Sequence, residues 1–247
     1  MIPFFRIIRK QLAAENKALK YMRYAFGEII LVVVGILIAL QINNWNENRI
    51  LQFKSQSYLF EFVNSLKSDT SKFSRGVILY ENLIKLKEPE LLKSDLSKAT
   101  IEDLENLITP KYYAFRITEN TYLKAKNSGL TELTEHELLS EKINTYYTEI
   151  LDYHNTMIDW EIEFTNKEAE YWFYEQAKYE TRSPDKFPVF QKDEENRISL
   201  IRLLESPKGR NYLRSEFDRK QRLINHFEYM YNKALELIKE IQKEFDN

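Results

Sequence analysis

The sequence predicts an all-α protein, with one N-terminal transmembrane helix continuing into an elongated periplasmic helical bundle. That bundle has three long helices plus short ones. Three observations carry the expectation. An apolar run near the N-terminus is long enough to cross a bilayer. Apolar residues beyond it recur at three/four spacing, as in coiled-coil stripes. No segment requires a strand.

Residues 1–23 come first. Ile2, Phe4, Phe5, Ile8 and Leu12 alternate with Arg6, Arg9 and Lys10. The spacing fits a short basic amphipathic helix on an anionic leaflet, or a plain topology signal. The stretch Tyr24–Trp45 follows. From Ala25 to Ile42 only Glu28 and Gln41 are strongly polar. As a helix it rises roughly 31 Å, the thickness of a hydrocarbon core. Tyr24 and Trp45 bracket it as interfacial anchors. The basic segment before it is long, and no small-x-small cleavage site follows, which argues against a signal peptide. Ile29–Leu40 has no polar face, unlike an amphipathic core helix. A single-pass span is therefore expected at residues 24–45.

The basic flank sets the orientation. Arg6, Arg9, Lys10, Lys17, Lys20 and Arg23 precede the span, whereas Asn43–Phe60 holds only Arg49 and Lys54. The positive-inside rule puts residues 1–23 in the cytoplasm and 46–247 in the periplasm, anchored at the inner membrane. Residues 1–42 hold six of the 36 basic and two of the 38 acidic residues, which leaves 30 against 36 and a net charge of −6 beyond them. A mildly acidic domain is a poor nucleic-acid binder. The chain has no cysteine, so neither disulfides nor thiolate chemistry enter.

Within the span, Glu28, Gly35 and Ala39 share one helical face, within about 40° at 100° per residue. Gly35-x-x-x-Ala39 is a small-x-x-x-small pair, which lets two spans approach closely. Self-association through this face is a candidate role, and the bilayer is the first partner.

The run Phe4-Phe5-Arg6, Glu15-Asn16-Lys17, Lys20-Tyr21, Gly27-Glu28-Ile29 and Gly35 through Glu47 resembles a family of uncharacterised single-pass inner-membrane proteins of Bacteroidota-type Gram-negative bacteria. That family carries only a domain-of-unknown-function label. A looser likeness surrounds Thr121–Leu130 and Tyr146-Tyr147. The resemblance implies topology and class, and no activity, substrate or catalytic residue.

Beyond the span, Leu59, Phe62, Leu66, Phe73, Val77, Tyr80 and Ile84 keep helical spacing. A helix is expected to about Lys87, stopped before Pro89, with Gly76 as its bend. Thr100 caps a short helix through Ile108. Tyr112–Ile117 is a strand-like stretch or a loop. A second short helix runs from about Glu119 to Ser128, with Gly129 as its stop. Thr134 and Glu137 form a capping box that opens a helix to Lys178. Its stripe is Leu139, Ile143, Tyr146, Ile150, Tyr153, Met157, Trp160 and Phe164. Thr181–Phe190 is a loop, and a short helix covers about Glu194–Leu204. Ser206-Pro207 opens the last helix, lined by Leu213, Phe217, Ile224, Phe227, Tyr231, Ala234, Ile238, Ile241 and Phe245. The expected path is out, back and out again, which puts the 179–206 connection near the membrane and 88–134 at the far end.

No catalytic, metal or cofactor site is expected. His136-Glu137 begins an HExxH pattern, but Ser140 takes the second ligand position. Leu151 and Leu223 precede His154 and His226 where a di-iron bundle needs Glu. Both histidines read as core or boundary residues. Glu161, Glu163, Glu168, Glu170 and Glu175 read as a solvated face. No glycine spacing fits a phosphate loop. Tyr171, Trp172, Phe173 and Tyr174 cover every face of a helix, so part of the block should contact lipid headgroups or an envelope protein partner. Two function classes follow: a membrane-anchored periplasmic interaction or sensing module, and an envelope enzyme built from scattered carboxylate, Tyr and His residues. The first is favoured.

Overall fold

A computed structural model describes residues 7, 18–117, 119–130, 132–134, 136–175, 178–182 and 188–245. The expected amphipathic helix of residues 1–12 lies outside them, Ile7 excepted. The chain divides into two compact units, Met1–Ser55 and Gln56–Asn247. The described residues are helical or irregular, with no strand.

The first unit holds the start of helix α1 (Ala18–Leu91). Its apolar side chains are exposed, from Phe26 and Ile29 through Leu40 and Ile42. It is the one helix among the described residues long and apolar enough to cross a membrane, and none of its most apolar window is buried against protein. Polar pairs stand just past the apolar run. Asn43 Nδ2 donates to Glu47 Oε1 at 2.9 Å, and the Arg49 guanidinium lies 5.5 Å from the Trp45 ring centre.

In the second unit, α1 buries one stripe, Leu59, Phe62, Leu66, Phe73, Tyr80 and Ile84. The helix runs on to Leu91 with Pro89 inside its last turn, past the expected stop. The proline removes the amide that would donate to the Lys85 carbonyl, and the loss stays local because the helix ends two residues later. Gly76 is a close-approach residue. A Cβ built there would lie 2.9 Å from the Phe227 ring.

Helix α2 (Ile101–Ile108) opens with a capping box, in which the Asp103 amide donates to Thr100 Oγ1 and the Thr100 amide donates to Asp103 Oδ2. Residues 109–117 are then irregular. Helix α3 (Asn120–Asn127) ends before Gly129, whose φ of 84° is the left-handed stop. Helix α4 (Glu137–Thr145) has no side-chain cap. The capping box expected at Thr134 and Glu137 does not form. Thr134 Oγ1 accepts a hydrogen bond from the His136 amide and donates one to Glu244 Oε1.

A π-helical turn, Tyr146–Ile150, joins α4 to α5 (Leu151–Phe173). This turn changes which residues face inward. A π turn takes up one extra residue and moves the helix out of phase. Leu139, Ile143, Tyr146, Tyr147 and Leu151 are all buried, and the buried face continues through His154, Ile158, Glu161, Thr165, Glu168 and Trp172. The uninterrupted stripe expected from the sequence is lost beyond the turn: Tyr153, Trp160 and Phe164 point outward. Helix α6 (Asp193–Glu205) and α7 (Pro207–Phe245) complete the chain. Ser206 caps α7, its hydroxyl accepting the Gly209 amide at 3.1 Å.

The long helices do not follow the out, back and out path. Phe62 meets Tyr147 and Phe73 meets His154, so α5 runs parallel to this part of α1. Lys87 meets Glu216 and Arg210 bonds Leu91 O, so α7 runs antiparallel to both. The 179–206 connection therefore sits at the Leu91 end of this unit, where Arg182 clasps Glu105. The return lies between Leu107 and Thr121, which meet Lys87 and Ser65, residues roughly 33 Å apart along α1; residues 109–117 within it are irregular.

Candidate functional site

Two groups of polar side chains lie where the phase-shifted face of α5 meets α7. Glu161 and Glu168 are seven residues apart, so both project inward from α5 after Ile158. Glu216, Arg219 and Lys220 share one face of α7, and Lys87 comes from the end of α1. The expectation that Glu161 and Glu168 belong to a solvated face is corrected: both are buried, at 3% and 2% exposure. Glu163, Glu170 and Glu175 are exposed as expected.

The six charges form one chain. Lys87 Nζ donates to Glu216 Oε1 at 2.7 Å and to the carbonyls of Leu107 and Thr109, each at 3.0 Å. Lys220 Nζ lies 3.2 Å from Glu216 Oε1 and donates to Glu161 Oε1 at 3.1 Å and to Lys111 O at 3.0 Å. Arg219 bridges Glu161 Oε2 at 3.1 Å and Glu168 Oε1 at 2.7 Å. Three cations meet three carboxylates, so the cluster is neutral when all are ionised. Burial lowers the Lys87 pKa, and Glu216 opposes it. Burial, then Glu216, raises the Glu168 carboxyl to about 7, against the pull of Arg219. Glu168 Oε2 is buried without a partner. Beside it a groove of about 460 Å³ opens between α5 and α7.

The second group is a stacked histidine pair. His154 Nε2 lies 2.8 Å from Phe115 O, and His154 Nδ1 lies 3.1 Å from His226 Nε2. A carbonyl only accepts, so Nε2 of His154 carries the proton and Nδ1 accepts from His226. Burial, then His154, lowers the His226 pKa to about 4, and burial lowers that of His154. The pair is neutral at neutral pH and seals one turn of the core. Both histidines are buried, as the sequence suggested.

The four consecutive aromatics separate. Tyr171 and Trp172 are buried in a second core cluster with Leu104, Leu107, Leu200, Leu204 and Leu213. α2, α6 and the start of α7 supply that cover, and Tyr171 stacks on Tyr212 at 4.3 Å. Phe173 is half-buried, and Tyr174 is 83% exposed. The headgroup role rested on a returning helix, which α5 is not. In the first unit Gly35 and Ala39 are exposed, Glu28 is half-exposed, and a Cβ at Gly35 meets nothing within 4 Å.

Sequence reasoning missed the ionic cluster and the outward row Tyr153, Trp160 and Phe164. The signal for both was the same: Leu151, His154, Ile158, Glu161, Thr165, Glu168 and Trp172 also keep three/four spacing, one step out of phase with the stripe chosen. Among the described residues no group of three or more His, Cys, Asp or Glu side chains is placed to hold a metal ion.

No curated protein and no solved structure matches the chain. A family model does match, over residues 28–158, which takes in most of the apolar run, the irregular residues 109–117 and the π turn. The chain belongs to that family, described as a family of unknown function, DUF6090.

Proposed function

We propose that the protein is a non-enzymatic, membrane-anchored helical module that binds another envelope protein in the periplasm. One observation carries this reading: Tyr153, Trp160 and Phe164 stand outward on α5, 57%, 56% and 42% exposed, over a core already filled from within. Large aromatics in the open are what partner surfaces collect. Tyr174 adds an exposed ring at the end of the same helix. The apolar start of α1, with its basic N-terminal flank, supports the anchor and the orientation. The alternative, an envelope enzyme, draws on Glu168, whose raised pKa suits a general acid beside a groove.

The test is crosslinking on spheroplasts with a membrane-impermeant amine reagent, read by mass spectrometry. The expected product joins one envelope protein to lysines on α5, such as Lys167. The double variant Trp160→Ala, Phe164→Ala should keep its helix content and lose that product. Unreactive lysines throughout 46–247 would put the domain on the wrong side. An unchanged product in the double variant would remove the face from the argument. Turnover of peptidoglycan by the purified full chain, abolished by Glu168→Gln, would establish the enzyme instead.

A further inference from the structure

We propose that α1 pairs with a second copy of this chain along a parallel, in-register seam that leaves the bilayer and reaches Phe53; this rests on the membrane anchor proposed above. Gly35, Ala39, Ile42, Asn46, Arg49 and Phe53 recur at alternate steps of four and three. That is the heptad spacing of a two-stranded coiled coil. Ala39, Asn46 and Phe53 hold one of its two seam positions, and Gly35, Ile42 and Arg49 hold the other. All six lie in the first unit, on one continuous helix, and all six are exposed in the single chain.

The first argument is depth. By helical rise Phe53 stands about 12 Å past Trp45. The headgroup layer is roughly 5–8 Å thick on each side, so lipid does not cover the ring. Yet Phe53 is 66% exposed. An apolar ring left in water is stabilised by whatever helix covers it. At the other end of the seam a Cβ at Gly35 meets nothing within 4 Å. In lipid such a position is where a neighbouring helix packs closest.

The second argument selects the occupant. Every copy crosses the bilayer in the same sense, so equal residues lie at equal depth and Asn46 meets Asn46. A side-chain amide both donates and accepts. Two facing amides therefore satisfy each other, as asparagine at this seam position does in parallel coiled-coil dimers. A foreign helix with an apolar residue at that level would bury the amide unpaired, which costs free energy. Arg49 does not obstruct the approach. Its guanidinium lies 5.5 Å from the Trp45 ring centre, at the edge of the seam, and donates to Asn46 Oδ1 at 3.2 Å. That bond orients the amide, and Oδ1 keeps a second lone pair for the amide of the other copy.

The chain has no cysteine, so a variant with one introduced carries a single thiol. The test is disulfide formation by full-chain variants in isolated native membranes under an added oxidant, read on a non-reducing gel. Asn44 and Leu51 stand on the far side of the helix from Asn46 and Phe53. Asn46→Cys and Phe53→Cys should each give about fivefold more dimer than Asn44→Cys and Leu51→Cys, because a disulfide needs Cα atoms within about 7 Å. Differently tagged copies, one carrying Asn46→Cys and the other Phe53→Cys, should give no mixed dimer in one membrane. Their thiols lie about 10 Å apart along an in-register seam. Equal yields at all four positions, dimer at none of them, or a mixed dimer as abundant as the matched ones would overturn the seam. Failure of the anchor reads differently. A chain that alkaline carbonate washes off the membrane ends the anchor, whatever its disulfides. A chain that the membrane retains without dimer at Asn46 and Phe53 ends only the seam.

Discussion

Buried titratable groups give single residues of this protein opposite leverage on stability. Glu168 moves up from 4.5 to about 7, so between those values the folded chain keeps a proton that the unfolded chain has released. Its contribution therefore lowers stability as pH rises through that window, and the cost is complete above it. His226 moves down from 6.5 to about 4, so the unfolded chain takes up a proton first as pH falls. Its contribution raises stability from about pH 4 to about 6.5. The two effects overlap and partly cancel in the native protein, which is why variants are needed to see either. Glu168→Gln should gain on the native chain by roughly 1–3 kcal/mol between pH 5 and pH 8. His226→Gln should lose a similar amount, roughly 1–3 kcal/mol, between pH 4 and pH 7. Denaturant midpoints at each pH measure both. Offsets that stay constant with pH would show that neither group titrates as its burial dictates.

The π turn at Tyr146–Ile150 decides what α5 can do. It keeps Leu139, Ile143, Tyr147 and Leu151 inward over a span in which a regular helix would drift by roughly a third of a turn. It thereby delivers Glu161 and Glu168 to Arg219 and Lys220, and leaves Trp160 and Phe164 outside. Removing the extra residue should preserve that phase, and adding another should destroy it. Deletion of exposed Thr148 should cost about 1–2 kcal/mol, with the core face retained. Insertion of one alanine after Asn155 turns the rest of α5 by about 100°. It carries both glutamates out of the ionic cluster and should cost more than about 4 kcal/mol, or abolish cooperative unfolding. Thermal melts compare the pair; a deletion as damaging as the insertion would mean that the turn does not set the phase. This element also shows why the sequence was only partly legible. The stripes on α1 and α7 were readable because nothing interrupts their period. A π turn in this helix has no residue signature, so two stripes one step apart looked equally good. The buried glutamates were then read as surface, because their cations, Arg219 and Lys220, arrive from α7. Helix direction was hidden for a related reason. Residues 112–117 read as a strand-like stretch or a loop, and nothing in their composition says that the chain returns there along α1.

At the scale of the whole molecule, the two units obey different packing rules. The second buries its apolar stripes against its own helices, so its contacts are driven by removal from water. The first presents apolar side chains all round, with none of its most apolar window buried against protein. If lipid surrounds it, hydrophobicity no longer favours contact between helices, and close packing takes over. Gly35 and Ala39 are then the residues that matter. With no side chain at one and a methyl at the other, they let a second span approach along the face that also carries Glu28. The open space around Gly35 in a single chain is what such an approach would fill. Gly35→Ile places a branched side chain there and should weaken self-association in a membrane two-hybrid assay severalfold. Val33→Ile adds a methylene about 200° away around the helix, and should leave the signal unchanged. Expression and membrane insertion should be equal for both, since each change keeps the run apolar. Equal association by the two variants and the native chain would leave Gly35 an ordinary lipid-facing residue, and the span a simple tether.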